Sequence, residues 1–543
     1  MSTVTGSNRT DLDVDVVIVG AGFAGLYMLH RVRDVLGLRT VVIEAADGVG
    51  GTWYLNRYPG ARCDSESYVY CYSFSEELLQ EWEWSGKYPR QPEILAYLEH
   101  VADRFDLLRD VRLGTRVEAA RYQDADGTWR VRTSAGDTVT ARFLVTGMGL
   151  LAAAPYTPDL PGLDTFAGEC HHTGRWPHEP VDLAGRRVGV IGTGSTGVQA
   201  IPVIAEQAAH LHVFQRSPQF TVPARHHTVD RAVLAEIRAD YDAIWAKAKW
   251  SLSGFPWQHN GRSALDATPE EVRKTFEELW DQGGFRFVFG SYRDLLTDIR
   301  ANDLAADFVR EKIRETVADP DTAAKLTPTD HPFGGRRPII DTDYFETYNR
   351  DDVTLVDLRE SPIEEVTPRG IRTTAGEIEL DVLVLATGFD AVTGPFTRID
   401  ITGRDGLALR DAWADGPSTY LGLAVAGFPN MFTITGPGAT FGNLPVSIEH
   451  HVEWIATCIE DTLRRDLAVV EAGYEAQQRW ADHVQAQAER IVAGPSGSWY
   501  DGANIPGKAR RPLFFFGSFG LYRRTCEDVA ANGYEGFDRQ PAV

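Results

Sequence analysis

Cysteine is scarce in this sequence, and its spacing excludes two common roles. The five cysteines among 543 residues are Cys63, Cys71, Cys170, Cys458 and Cys526. No C-x-x-C pair and no metal-ligand spacing is present, so the sequence predicts neither a disulfide framework nor a metal site. A disulfide reductase needs a closely spaced redox pair, and Cys63 and Cys71 are too far apart in the sequence to form one.

Long apolar runs and excess positive charge are also missing. The best apolar stretch, around residues 143–154, is interrupted by Thr and Gly and is too short to span a bilayer. The net charge of -23 argues against nucleic acid or an anionic membrane as a partner, since both need a basic face. The first 13 residues are polar and lack the apolar core of a targeting signal. We expect a soluble, cytoplasmic protein of two or three domains.

A glycine-rich turn between two β-branched runs predicts a first nucleotide site. Val14–Val19 is expected to be a buried strand, and a GAGFAG turn follows it at residues 20–25. A second strand, Thr40–Ile43, ends in an acid. The glycines allow a tight turn and close approach of a pyrophosphate, and the acid accepts hydrogen bonds from ribose hydroxyls, which favours FAD. The residues assigned to this site are Gly20, Gly22, Phe23, Gly25 and Glu44.

A second glycine turn has a different ending. The predicted strand Arg187–Ile191 leads into a GTGSTG turn, and the next strand, Leu211–Phe214, is followed by Arg216 and Ser217 in place of an acid. These two residues can hold a 2′-phosphate, which favours NADP(H) over NAD(H), although an arginine here could also be merely solvated. The turn residues assigned to this site are Gly192, Thr193, Gly194, Ser195, Thr196 and Gly197.

The two sites predict an α/β fold with two Rossmann-like dinucleotide-binding domains and a helical insertion. Strand patterns near residues 143–147 and 381–385 mark where the chain passes between the domains. We predict a discontinuous FAD domain at 1–145 and 386–543, an NADP domain at 150–225 and 330–385, and the insertion at 226–329. In the insertion, Thr268 is predicted to cap a helix. An apolar stripe is predicted from Leu304, Phe308, Ile313 and Val317.

Three further segments point to one family. Residues 166–177 have the pattern F-x-G-x-x-x-H-x-x-x-W-P, which resembles the signature of type I Baeyer–Villiger monooxygenases of the cyclohexanone, phenylacetone and steroid group. Residues 50–64, GGTWYLNRYPGARCD, and residues 330–338, DHPFGGRRP, resemble two other segments of these flavoenzymes. The fingerprint positions are Phe166, Gly168, His172 and Trp176.

The resemblance implies an oxidoreductase that uses FAD, NADPH and O2 to convert ketones into esters or lactones through a flavin C4a-peroxide. It implies Arg337 as the catalytic cation, which stabilises the peroxide anion and the developing oxyanion, with Asp64 as its ion-pair partner. Arg336 falls where many relatives have a lysine for the 2′-phosphate, and this departure from the family pattern keeps the positive charge. His172 is assigned to coupling cofactor binding with domain movement, although a satisfied structural histidine is also open.

The remaining cofactor positions also follow from the resemblance. Trp499 lies in a segment that resembles a mobile loop over the nicotinamide cofactor, and residues 436–445 resemble the wall of the substrate pocket. The compactness of that wall favours cyclic ketones. The other positions implied near the cofactors are Thr52, Trp53, Arg62, Tyr70, Val117 and Leu444.

Two other functions stay open at this point. Flavin-containing N- or S-monooxygenases share both glycine turns but commonly lack the W-P ending and the Asp64/Arg337 set. A non-catalytic flavin- and NADP-binding sensor is the second alternative. The sequence is compatible with a monomer or a dimer, and small molecules are the only partners expected.

Overall fold

The computed structural model describes residues 12–151, 154–492 and 497–541, and these ranges form a mixed α/β fold. The strands, in chain order, are β1 (Val14–Val19), β2 (Thr40–Ile43), β3 (Val111–Arg112), β4 (Val117–Gln123), β5 (Thr128–Thr133), β6 (Thr138–Thr146), β7 (Glu169–His172), β8 (Arg187–Ile191), β9 (His210–Gln215), β10 (Thr221–Pro223), β11 (Ile339–Asp341), β12 (Val353–Asp357), β13 (Ile363–Thr367), β14 (Gly370–Thr373), β15 (Gly376–Glu379), β16 (Val382–Leu385), β17 (Asp400–Thr402), β18 (Met431–Thr433), β19 (Leu467–Ala472) and β20 (Phe537–Pro541).

The α-helices are α1 (Phe23–Leu29), α2 (Thr52–Leu55), α3 (Glu76–Glu81), α4 (Gln91–Arg104), α5 (Ser195–Ala205), α6 (Arg231–Ala239), α7 (Tyr241–Trp250), α8 (Pro269–Gln282), α9 (Arg286–Phe289), α10 (Ile299–Thr316), α11 (Pro320–Leu326), α12 (Tyr344–Thr347), α13 (Gly394–Thr397), α14 (Leu409–Ala412), α15 (Leu444–Arg464), α16 (Tyr474–Glu489) and α17 (Phe519–Ala531). None of them is both long and apolar enough to cross a membrane.

Two sheets carry the two glycine turns. The first has the strand order β17-β4-β5-β6-β1-β2-β3, with β18 also paired to β6, and its centre is parallel. The second, β12-β9-β8-β16-β7, is parallel throughout. The central strands are rich in Val, Leu and Ile and are buried on both faces, as parallel sheets require. The prediction of two Rossmann-like units is confirmed.

The chain enters each sheet twice. Strands of the first sheet come from residues 14–146 and 400–433, and strands of the second come from residues 169–215 and 353–385. The short parallel pair β10–β11 joins the chain on the two sides of the helical segment. This distribution supports discontinuous domains of the kind expected from the sequence, and their exact boundaries stay a prediction.

The helices α6 to α11 lie between residues 231 and 326. Apolar residues of α8 to α11 share one core with the second sheet, whereas Tyr241, Trp245 and Ala248 of α7 pack in the core of the first sheet. The predicted helix start is confirmed, because Thr268 and Glu271 form a capping box at α8. The predicted stripe on α10 is wrong at one position, since Leu304 is 40% exposed while Phe308 and Ile313 are buried. Its four-residue spacing from Phe308 suits a helical stripe, but the buried face of α10 runs through Ala301, Ala305 and Val309, and Leu304 lies outside that face.

Candidate active site

Two turns of the same construction follow the first strands of the two glycine motifs. Gly20 has a φ of 98° and Gly192 a φ of 109°, a conformation that glycine adopts without steric cost. A Cβ on Gly25 would lie 1.7 Å from the Gly20 carbonyl oxygen, and a Cβ on Gly197 would lie 2.1 Å from that of Gly192. Neither α1 nor α5 has a side-chain cap on its first N–H groups. Both helix N-termini therefore fit the diphosphate of a dinucleotide.

The first turn is bonded to the acid predicted to face a ribose. The carboxylate of Glu44 accepts hydrogen bonds from the backbone N–H groups of Ala21 (2.7 Å) and Ala46 (2.8 Å). Burial raises the pKa of Glu44, and these N–H groups oppose that rise. The carboxylate is thus fixed beside the glycine turn, where a ribose would lie.

The strand that follows the second turn is succeeded by an arginine in place of an acid. Arg216 is exposed and has no hydrogen bond or ion pair within the described part of the chain. The carbonyl of Ser217 accepts a hydrogen bond from Thr193 Oγ1 (3.0 Å), which ties this strand end to the turn. Arg336 lies 3.3 Å from Asp330 in an ion pair. An exposed arginine after β9 is compatible with both sequence interpretations of Arg216, and its role in binding a 2′-phosphate stays a prediction.

The predicted pair between Asp64 and Arg337 is present. Arg337 Nη2 lies 3.0 Å from Asp64 Oδ2; the Asp64 side chain is 5% exposed and that of Arg337 31% exposed. Burial raises the pKa of Asp64 and the Arg337 charge opposes this rise. Burial lowers and the Asp64 carboxylate raises the pKa of Arg337, with a net upward direction. The guanidinium is therefore a fixed positive charge with one partly open face.

Gln199 holds the other side of the same carboxylate, and the sequence analysis did not identify it. Its Nε2 donates to Asp64 Oδ1 (3.1 Å), and its Oε1 accepts from the Tyr58 hydroxyl (2.8 Å). A Cβ on Gly60 would lie 2.2 Å from the Gln199 carbonyl oxygen, so the loop at 58–64 packs directly on α5. The helix of the second nucleotide turn thereby orients a residue from the first domain. The only sequence signal for this role of Gln199 is its position two residues after the GTGSTG turn.

Of the other positions expected near FAD, Phe23, Trp53 and Tyr70 pack together and join the first turn to the 50–64 segment. Trp53 and Tyr70 are each 8% exposed, and the indole Nε1 donates to the Tyr70 hydroxyl (3.2 Å). Phe23 packs against the Tyr70 ring at 5.4 Å. Arg62 bonds Thr342 Oγ1 at 3.3 Å. The remaining expected positions are at the start of α2, on β4 and at the start of α15, namely Thr52, Val117 and Leu444.

Comparison with known proteins decides the family. A family model described as pyridine nucleotide-disulphide oxidoreductase matches residues 14–241. A protein named Baeyer-Villiger monooxygenase from Pseudooceanicola batsensis is 46% identical over 99% of each chain. The chain belongs to the Baeyer–Villiger monooxygenase family.

Other similarities add detail to this membership. A phenazine N-monooxygenase from Lysobacter antibioticus is also 46% identical, over 96% of each chain. A closed crystal structure of cyclohexanone monooxygenase matches with a TM-score of 0.95 and 48% identity, covering 97% of this chain and 99% of that one. A structure described as the OTEMO complex with FAD and NADP matches with a TM-score of 0.94 and 43% identity, at the same coverages.

In this Baeyer–Villiger monooxygenase, the fingerprint histidine is fully hydrogen-bonded at the connection between the sheets. His172 Nδ1 accepts from the Gly174 N–H (3.0 Å), so its proton lies on Nε2, 3.0 Å from the Tyr156 carbonyl. Thr387 Oγ1 donates to the same carbonyl (2.6 Å), which joins the two interdomain connections. Burial lowers the pKa of His172, which keeps the ring neutral. Both sequence interpretations of His172 remain compatible with this arrangement.

The other fingerprint residues pack around the same region of the monooxygenase. A Cβ on Gly168 would lie 2.4 Å from the Asp381 carbonyl oxygen, which explains why the motif needs glycine there. Trp176 is 7% exposed and its ring lies 5.3 Å from that of His171. Phe166 packs against the core beside β16. These contacts are structural and do not reach Arg337.

The segment around Trp499 lies against the expected wall of the substrate pocket. The Trp499 ring is 5.7 Å from Phe441 and 5.5 Å from Phe514. Farther along the segment, Lys508 Nζ lies 2.6 Å from Asp390, just after the second interdomain connection. This geometry is compatible with a loop that covers a cofactor, and the role of Trp499 stays a prediction.

Proposed function

We propose that this enzyme carries out NADPH- and O2-dependent Baeyer–Villiger oxidation of a ketone, converting it to an ester or lactone. The observation that carries the proposal is the Asp64–Arg337 ion pair, whose buried carboxylate is also bonded by Gln199 of the NADP-type helix. The similarity to cyclohexanone monooxygenase supports a cyclic ketone as the substrate. The match to a complex with FAD and NADP supports both cofactors.

Two sets of residues are proposed to hold the cofactors. For FAD they are the first glycine turn, Glu44 and the positions around Trp53 and Tyr70. For NADP(H) they are the second glycine turn with Ser217, while Arg216 and Arg336 supply positive charge to the 2′-phosphate. When bound, the flavin supplies transfer of two electrons from NADPH and activation of O2.

The chain's own contribution to the chemistry is a positioned charge. The Arg337 guanidinium stays protonated at any working pH, and it can stabilise the negative charge that develops on oxygen as a carbonyl is attacked. Asp64 fixes the orientation of the guanidinium and compensates its charge in a largely buried site. The Gln199 amide fixes Asp64 in turn. We also propose that the aromatic residues around Trp499 exclude water from this site.

Product analysis tests the proposal. Purified holoenzyme should oxidise NADPH faster when cyclohexanone is added, and under 18O2 the lactone should carry one labelled oxygen atom. A sealed anaerobic reaction should yield no lactone. The assay is repeated with a panel of cyclic, polycyclic, steroid and aryl ketones. If none of them raises the rate of NADPH oxidation and no ester forms, the proposed reaction is contradicted.

The 46% identity to a phenazine N-monooxygenase favours a second candidate, oxidation at an aromatic nitrogen. The same assay with phenazine separates the two functions by the mass and fragmentation of the product. Formation of an N-oxide without any ester from ketones would favour the second candidate.

The proposal also includes a monomeric or dimeric state and a cytoplasmic location. Light scattering after size-exclusion chromatography tests the first, and fractionation of source cells tests the second. A larger assembly or recovery with membranes would contradict these parts alone.

A further inference from the structure

A second ion pair lies two residues from Asp64. Arg286, at the start of α9, donates from Nε to Glu66 Oε1 (3.1 Å) and from Nη2 to Glu66 Oε2 (3.0 Å). Glu66 is 3% exposed and also accepts a hydrogen bond from the Tyr68 hydroxyl. Such a two-point contact fixes both the distance and the plane of the guanidinium. The segment 64–66 is thus tied to two arginines from distant parts of the sequence.

The residue before Arg286 contacts the proposed catalytic cation. The Arg337 guanidinium carbon lies 5.6 Å from the centre of the Phe285 ring, within the range of a cation–π contact. Asp64, Arg337, Phe285, Arg286 and Glu66 therefore form a closed circuit of two ion pairs, one ring contact and two short backbone links. Because each of the five residues is linked to two others, none of them can move without changing both of its links.

The outer side of Arg286 is also fixed. Its guanidinium lies 5.2 Å from the Trp257 ring, which stacks on Phe255 at 4.6 Å with planes only 5° apart. Lys87 approaches Glu66 at 3.8 Å and donates to the Gln282 carbonyl (2.7 Å). Arg286 is thus held by a carboxylate on one side and by an aromatic ring on the other, and Lys87 adds a second positive charge beside Glu66.

We propose that Glu66 and Arg286 are positioning residues for Arg337. Their ion pair sets the Phe285 ring against one side of the Arg337 guanidinium while Asp64 holds its edge, so the cation is fixed before substrate arrives. The role rests on the proposed function, because it concerns the charge that faces the carbonyl. Misplacement of such a group by about 1 Å can cost roughly 100-fold in rate.

The main variants are Arg286→Met, which removes the pair, and Glu66→Gln, which keeps the shape of the side chain. We expect both to retain flavin and to oxidise NADPH, while lactone formed per NADPH falls about tenfold and hydrogen peroxide rises. Arg286→Lys should recover part of the yield, since it keeps the charge but not the two-point contact. Phe285→Leu keeps the ion pair, removes the ring and should give an intermediate loss.

The matched control is Arg273→Met. Arg273 is an exposed arginine of the same insertion; it also makes a two-point pair, with Glu311, and lies over an aromatic ring, but that ring is Phe308. Arg273→Met can lower the thermal midpoint but should leave the lactone yield unchanged. Equal yield losses in Arg273→Met and Arg286→Met would overturn the positioning role.

A double-mutant cycle and hydrogen exchange complete the test. In an Arg337→Lys background, Arg286→Met should cause little further loss of lactone, because one residue acts through the other; additive losses would overturn the proposal. In Arg286→Met, amides at 63–67 and 334–340 should exchange faster than in Arg273→Met, and unchanged exchange there would also overturn it. Exchange needs no turnover, so it separates failure of this inference from failure of the proposed reaction.

Discussion

The two glycine turns share one backbone construction, but the strands that follow them end in opposite chemistry. At the first turn, Glu44 is buried and already accepts two backbone hydrogen bonds. At the second, Arg216 is exposed and unpaired within the described ranges. The acid after the first turn is therefore held in place by the protein itself, whereas the arginine after the second turn presents its charge to solvent. The same backbone turn is thus combined with a fixed acid in one sheet and with a solvent-exposed cation in the other.

Substituting the third glycine of each turn should have the largest effect. Gly25→Ala places a Cβ 1.7 Å from a carbonyl oxygen, so we expect a cost at or above the ~3 kcal/mol upper end for overpacking, with loss of bound flavin. Gly197→Ala should lose NADP+ binding and keep flavin. Flavin absorbance and NADP+ titration measure both.

A matched control for these glycines is Gly194→Ala. A Cβ there meets no atom within 4 Å, so the thermal midpoint should stay constant while NADP+ binding alone weakens. Release of flavin by Gly197→Ala would show that the two turns do not act independently.

The site between the turns should respond differently from either turn. Arg337→Ala removes the charge proposed to face the substrate carbonyl and leaves both glycine turns intact. We therefore expect ester formation to fall about 10²–10³-fold with flavin retained. Product yield and flavin content are the measurements. Arg336→Ala is the neighbouring control and should mainly raise the KM for NADPH; a normal lactone yield in Arg337→Ala would remove Arg337 from the mechanism.

The sequence predicted this contrast because its signals are local. Each turn lies in one βαβ unit, so spacing and strand composition identify Glu44 and Arg216 without knowledge of the fold. The pairing of Asp64 with Arg337 followed from family segments far apart in the chain, and the structure confirms the contact. Capping of α8 by Thr268 was equally local.

Residues whose role depends on packing between domains were not predictable in this way. Gln199 reaches Asp64 only because Gly60 lets the loop lie on α5. Arg286 reaches Glu66 across 220 residues of sequence, and no local pattern around either residue indicates that contact. Leu304 is exposed although its spacing suits a stripe, because periodicity alone does not show which face of a helix the neighbouring elements cover.

Arg216, directly after β9, offers a finer test of the difference between the two glycine turns. Arg216→Ala should raise the KM for NADPH roughly tenfold or more, because a hydrogen bond to a charged group contributes about 1.5–3 kcal/mol. The KM for NADH should stay constant, since NADH has no 2′-phosphate. Steady-state kinetics with both nucleotides measures this, and equal changes for the two would contradict the assignment of Arg216.

The smallest expected effect concerns the junction that joins the two halves. Burial lowers the pKa of His172 in the folded protein, so below the unfolded value of about 6.5 the unfolded chain binds a proton that the folded chain does not. Stability is therefore lost as pH falls through that value towards the folded pKa, by at most about 1.4 kcal/mol per pH unit.

His172→Gln keeps a donor for the Tyr156 carbonyl and cannot titrate, so its thermal midpoint should fall less than that of wild type between pH 7 and 5. His227→Gln, at an exposed histidine, is the control. Parallel profiles for His172→Gln and wild type would mean that acid weakens the molecule elsewhere than at this junction.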